Sequence, residues 1–266
     1  NGSSDTNLLD GTDNLIYQGS GSINLTMTVT PGSNLGAYNN TAVANGTSPA
    51  NQSVTDDSQN GTDVDPNNND DPTDNDEPTS VTFTENPSIG IAKAITSGPI
   101  NNNDGTYTLT YTMLVENTGD VLLSNVQVVE NLNTTFAGST SYTVNSISST
   151  DFSVNNNFNG SSDTNLLDGT DNLIYQGSGS ITLTVTVTPG SKLGAYNNTA
   201  VVNGTSPANQ SVTDDSQGGT NVDPDNNDDP TDNDEPTSIS FTENPNIGIS
   251  KALTNGPINK GNQTYD

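Results

Sequence analysis

Cysteine, histidine, tryptophan and arginine are all absent from this chain of 266 residues. Without His or Cys there is no imidazole for general base work, no thiol nucleophile and no nitrogen or sulfur ligand for zinc. Without Cys no disulfide can staple the fold. Cations are nearly missing as well. Lys93, Lys192, Lys251 and Lys260 stand against 32 acids, for a formal net charge of -28. No basic stripe can be drawn, which excludes nucleic acid as a partner, and an anionic membrane surface would repel the chain. No apolar run approaches the length of a transmembrane helix, so no membrane insertion is expected in this segment. No signal peptide is present, but the chain begins in mid-pattern at Asn1, where a targeting segment could lie upstream. Carboxylates alone can hydrolyse glycosides, but in aromatic-rich clefts, and aromatics make up 5% of the chain. The expectation is a protein that is not an enzyme.

Hydrophobic residues are scarce too, at 27%. Low hydrophobicity with high net charge often means disorder. Two features argue against it here: the apolar residues are strongly patterned, and the acids are concentrated rather than spread. The polar remainder is Asn, Thr, Ser, Asp and Gly, the residues of turns and solvent-facing strand positions.

The chain repeats itself. NGSSDTNLLDGTDNLIYQGSGSI begins at Asn1 and returns at Asn159, and the offset of 158 holds without insertion to the last residue. Residues 1–108 pair with 159–266 and 90 of the 108 positions are identical. The differences are mild, such as Met27 against Val185 and Ile95 against Leu253. The segment TENP (84–87 and 242–245) follows an acidic stretch and precedes a fresh apolar strand, which makes it the natural joint. The reading is one complete repeat at 87–244, the C-terminal part of a preceding repeat at 1–86, and the start of a following one at 245–266. Neither partial repeat is expected to bury a whole core alone.

Within the repeat, period-two alternation dominates. In TYTLTYTMLV, Tyr107, Leu109, Tyr111, Met113 and Val115 share one face and four threonines the other. In SITLTVTVTP, Ile181, Leu183, Val185 and Val187 alternate with threonines, as do Ile23, Leu25, Met27 and Val29 in the first copy. One apolar face and one polar, β-branched face fit an antiparallel sheet packed on one side. Further strands are expected at 88–94, 121–132, 140–147, 193–202, 211–214 and 238–242, separated by Gly, Asn, Asp and Pro. No stretch of useful length has helical periodicity. Eight to ten strands per period read as one all-β, antiparallel, two-layer β-sandwich per 158-residue repeat.

The opening P-x-I-G-I-x-K-A-[IL]-T (87–96 and 245–254), the phrase ENTGDVLLSNVQVVENL (116–132), TVTPGSKLGAYNNTAVV and the acidic DPDNNDDPTDNDEPT together carry a family resemblance. The chain resembles the conserved repeat domain of unknown function found in very large bacterial and archaeal surface proteins. That resemblance implies tandem immunoglobulin-like sandwiches, an extracellular or cell-surface location, and a stalk, adhesin or filament role. It supplies no catalytic residues.

Nine carboxylates and no cation occupy 56–77, and nine more occupy 214–235. Such a density repels itself unless cations neutralise it, and Asp, Asn and backbone carbonyls are the hard oxygen ligands that Ca²⁺ prefers. In DPNNNDDPTDNDE, Asp65, Asn67, Asn69 and Asp76 fall at positions 1, 3, 5 and 12 of a calcium-loop frame. The second copy gives Asp223, Asp225, Asn227 and Asp234. Asp71, Asp74 and Glu77, with Asp229, Asp232 and Glu235, are further candidates. Position 6 is Asp70 or Asp228 where an EF-hand has Gly, and no helix flanks the loop, so the expected site is an independent oxygen cage. A Ca²⁺ there would stiffen the joint between repeats. The alternative is a solvated acidic loop whose Asn and Asp serve turn geometry.

Smaller signals have plainer readings. DGTDN (10–14 and 168–172) reads as a turn. Lys93 and Lys251 share strand parity with Ile89/Ile91 and Ile247/Ile249. The expected outcome is a strand-end lysine whose ammonium reaches solvent or the acidic loop; an isopeptide bond to Asn, formed in some surface adhesins, is the minor alternative. Tyr107, Tyr111 and Tyr196 read as core or sheet-edge residues rather than a sugar platform. N-x-[ST] sequons at Asn45, Asn133, Asn203 and Asn209 permit glycosylation outside the cell. The leading function is a structural repeat of a fibre or adhesin stalk whose partners are neighbouring repeats of the same or like chains. In a sharper version, residues 87–94 or 245–252 add as a strand to another repeat's sheet. The competing class is an adhesive module that recognises a glycan or protein, a cell-surface ligand.

Overall fold

The computed structural model describes residues 4–266. The chain divides into two compact units, Asn1–Val81 and Thr82–Asp266. Among its described residues the first contains four short strands: β1 (Tyr38–Asn40), β2 (Val43–Thr47), β3 (Ser53–Asp57) and β4 (Thr79–Val81). They form two antiparallel pairs, β1 with β4 and β2 with β3.

The second unit holds a complete sandwich. Its elements are β5 (Gly90–Asn101), β6 (Tyr107–Glu116), β7 (Leu123–Glu130), α1 (Leu132–Thr135), β8 (Ser141–Ser148), β9 (Asp171–Leu173), β10 (Ser178–Thr188), β11 (Tyr196–Asn198), β12 (Ala200–Thr205), β13 (Ser211–Asp215), β14 (Gln217–Gly218) and β15 (Thr237–Ile239). One sheet runs in the order β14-β5-β6-β10-β8 and the other β13-β12-β7-β9, with β11 and β15 paired apart. All pairings are antiparallel except the short β14–β5 contact. The alternation in sequence becomes the alternation in burial. Leu109, Tyr111, Met113 and Val115 of β6 and Ile181, Leu183, Val185 and Val187 of β10 enter one core with Val126 and Val128 of β7 and Val202 of β12. On the opposite face the threonines pair across strands, with Oγ1 to Oγ1 distances of 3.1 Å for Thr108–Thr186 and 3.0 Å for Thr110–Thr184. Such cross-strand pairs are the units that stabilise a sheet. Tyr107, Tyr111 and Tyr196, read as core or sheet-edge residues, are all buried in the core.

Several elements differ from the sequence expectation. The strand expected at 121–132 stops at Glu130, because the Asn131 side chain accepts from Thr134 N at 3.0 Å and caps the single turn of α1. The strand expected at 193–202 splits in two because the chain changes partners: β11 pairs with β15, whereas β12 pairs with β7 and β13. The first strand runs on to Asn101 through two register shifts. It pairs with β6 of its own repeat rather than with another, and residues 245–252 form no strand.

Near-identical sequence meets two fates. Leu183 is fully buried, whereas Leu25 at the same place in the first copy is 58% exposed; Ile91 is fully buried and Ile249 is 98% exposed. Ile181–Val187 lies between β6 and β8, and residues 107–116 and 141–148 have no counterpart within 1–81. Local sequence fixes the pattern, but only the neighbouring strands of the same period convert it into a core.

Candidate functional site

The acidic segment of the complete repeat is fastened to the first strand at Lys93. The Lys93 carbonyl accepts from Gly219 N at 2.9 Å and from Thr237 Oγ1 at 2.7 Å. The mouth of the loop is closed by Gly218 N to the Glu235 carbonyl at 2.5 Å and by Glu235 N to Gln217 Oε1 at 3.0 Å. Gly90 permits the close approach: a Cβ there would lie 2.9 Å from side-chain carbons of both Val222 and Pro230.

Inside the loop, carboxylates accept from backbone amides. Asp223 takes Asn227 N at 3.3 Å and Asp228 N at 3.0 Å, and Asp65 takes Asn69 N at 3.3 Å and Asp70 N at 2.9 Å. Asp229 and Asp71 cap the 3-10 turns Pro230–Asp232 and Pro72–Asp74 through Thr231 and Thr73. Asn69 Nδ2 reaches Asp74 at 2.7 Å, and Asn227 Nδ2 reaches Asp232 at 2.9 Å and Asp225 at 3.2 Å. Asp70 and Asp228, at the position where a calcium loop has Gly, adopt φ of 64° and 66°. Asp tolerates this left-handed region because its short side chain bonds locally. The hydrogen bond with neighbouring Asp223 raises Asp225 above its ordinary value.

The sequence frame is not gathered onto one point. Among the described residues no group of three acids sits as a metal cluster. Asn67, Asn69 and Asp74 come together, as do Asp225, Asn227 and Asp232. Asp76 lies elsewhere, in an open pocket of about 280 Å³ lined by Thr55, Asp56, Asp57 and Thr73. Asp234 likewise faces Asp215 and Asp214, and burial and the Asp215 and Asp232 charges raise it above its ordinary value. Glu77 and Glu235 are fixed through their backbone amides, which donate to Gln59 and Gln217.

Sequence reasoning missed Asp214. It is 3% exposed, and one oxygen accepts from Ile91 N at 2.8 Å while the other has no partner. Burial pushes its pKa up to about 7, against the Ile91 amide and with help from the Asp234, Asp215 and Asp229 charges. The signal was parity: Asp214 shares a strand face with Val212.

A second polar cluster lies inside the sandwich, and here the lysine expectation is corrected. Lys93 does not reach solvent or the acidic loop. Its side chain is fully buried and ion-paired with Glu130, itself fully buried. The ammonium lies 4.7 Å from the centre of the Tyr111 ring. Asn198, also fully buried, accepts from Thr135 Oγ1 at 3.0 Å and faces both Glu130 and Tyr111 closely enough to influence their ionisation. Yet Asn198 Nδ2, Glu130 Oε1 and Tyr111 OH close no hydrogen bond of normal geometry. Desolvation lowers the Lys93 pKa and raises that of Glu130, each opposed by the partner's charge. The backbone assembles the group: Asn198 pairs with Thr237, whose hydroxyl bonds the Lys93 carbonyl. β5, β7 and β11 therefore each contribute one polar side chain to a buried pocket.

No family model matches the chain, and no curated protein does. The repeat-family resemblance therefore rests on the quoted motifs alone. Among solved structures, the full-length major pilin SpaD from Corynebacterium diphtheriae is similar at 15% identity, over 57% of this chain and 38% of the pilin, with a TM-score of 0.32. A likeness that loose carries nothing about activity or partners. Among the described residues no helix is long and apolar enough to cross a membrane.

Proposed function

We propose that the chain is a structural repeat of a secreted or surface-attached fibre or adhesin stalk, with Ca²⁺ held at the acidic loop. The observation that carries this reading is the match between the 158-residue period and one closed sandwich. Tandem modules that each bury their own core add length by simple repetition. The β5 strand pairs within its own repeat, which favours an array of self-contained modules over one built by strand exchange.

The calcium part rests on charge and chemistry. Asp214, Asp215 and Asp234, with their counterparts Asp56, Asp57 and Asp76, place carboxylates beside the acidic loop, and one oxygen of Asp214 lacks a partner. Ca²⁺ takes six to eight oxygens, which these groups, loop carbonyls and water would supply. The Asp76 and Asp234 of the sequence frame belong to this set. Asp65, Asn67, Asn69, Asp71, Asp74 and Glu77, with Asp223, Asp225, Asn227, Asp229, Asp232 and Glu235, would shape the loop or complete the shell.

Small-angle scattering on arrays of increasing repeat number tests both parts. The maximum dimension should grow by a constant step per repeat in Ca²⁺ and by a smaller one after chelation. A dimension that barely grows sinks the stalk; growth indifferent to chelator sinks the calcium joint.

A further inference from the structure

We propose that Lys93 and Asn198 join through an intramolecular isopeptide bond, with Glu130 as the catalytic acid–base. The reacting groups are all fully buried in one pocket. Lys93 Nζ donates a hydrogen bond to Glu130 Oε2, Asn198 stands beside the same carboxyl group, and the Tyr111 ring covers the amine. Burial favours the uncharged forms of both Lys93 and Glu130. Transfer of the Lys93 proton to Glu130 yields that state, a nucleophilic amine beside a carboxylic acid.

The step balances without a co-reactant. The Lys93 Nζ lone pair attacks Asn198 Cγ, and the carbonyl electrons move to Oδ1, where the Thr135 hydroxyl already donates at 3.0 Å. Glu130, already protonated by Lys93, delivers its proton to Nδ2 and takes one back from the attacking nitrogen, so it ends as the carboxylic acid. The Nζ–Cγ bond forms, the Cγ–Nδ2 bond breaks, and ammonia leaves. Nothing is oxidised or reduced.

The product also resolves a cost visible in the reactants. Buried polar atoms without partners are expensive, and this pocket holds three. The bond removes the ammonium charge and expels Asn198 Nδ2, and it leaves a neutral amide to which the Glu130 carboxyl can hydrogen-bond. The cross-link would tie β5 to β11, so that tension across the repeat bypasses residues 94–197.

Intact mass of the full chain under denaturing conditions tests the bond. The expected mass is lower than that of the sequence by one ammonia. Fragmentation should give a branched peptide joining 93 to 198, while exposed Lys251 stays a free amine. Glu130→Gln and Asn198→Ala should each restore the full mass, with circular dichroism to confirm that β structure remains. The wild-type mass decides the matter even if a variant fails to fold. A full wild-type mass overturns the proposal. Loss of one water instead places the amide on Glu130 and overturns the role of Asn198. Loss of ammonia that maps to Asn45–Gly46 or Asn203–Gly204, as a succinimide, overturns it as well.

Discussion

At the scale of single residues, the charges that matter are those the fold takes out of water. Asp214 has a pKa of about 7 in the fold against an ordinary value of 3.8. Between those values the folded chain holds a proton that the unfolded chain has released. Stability of the metal-free protein should therefore fall as pH rises across that window and level off above it. Urea unfolding in chelator at a series of pH values reads this directly. Asp214→Asn, which keeps an acceptor for Ile91 N, should flatten the slope; an unchanged slope would assign the titration to another group. Above pH 7 the ionised Asp214 is also where a cation gains most, so Ca²⁺ should raise the melting temperature of the wild type more than that of Asp214→Asn. Equal rises would remove Asp214 from the ion's surroundings. Parity pointed inward for both Lys93 and Asp214, but what meets them there was not legible. Glu130 and Asn198 lie far away in sequence, and only the pairing of β7 with β12 and of β11 with β15 brings them near.

At the scale of elements, the strands were largely readable because burial on one face leaves a period of two. β6 and β10 are the clearest cases, with every second residue buried. What could not be read was where a strand changes partner. Leu193–Val202 looks continuous, yet β11 and β12 serve different sheets, and β9 is too short to leave a pattern. The acidic loop was legible as a loop, and its left-handed Asp70 and Asp228 stand where the calcium frame departs from Gly. Backbone amides, those of the capped turns included, donate to several of its carboxylates, a partition that spacing alone does not reveal. The two copies supply an internal control. Leu183→Ala removes a fully buried side chain and should cost about 2–5 kcal/mol. Leu25→Ala, at an exposed position, should change stability by less than about 0.5 kcal/mol. Equal costs in urea unfolding would contradict the burial difference between the copies.

At the scale of the whole molecule, the physical problem is to build a stable core from a chain with few apolar residues, no disulfides and a net charge of -28. A sandwich that closes within residues 87–244 answers it, with the acidic loop fastened to the first strand of that same period. Everything else follows from that closure: the burial of β10, the assembly of the Lys93 pocket and the placement of the acids. Thermal unfolding of residues 87–244 expressed alone is the most direct test. The account predicts one cooperative transition at the melting temperature shown by the same residues within the full chain. A broad, non-cooperative melt, or cooperativity that returns only when flanking repeats are attached, would contradict it.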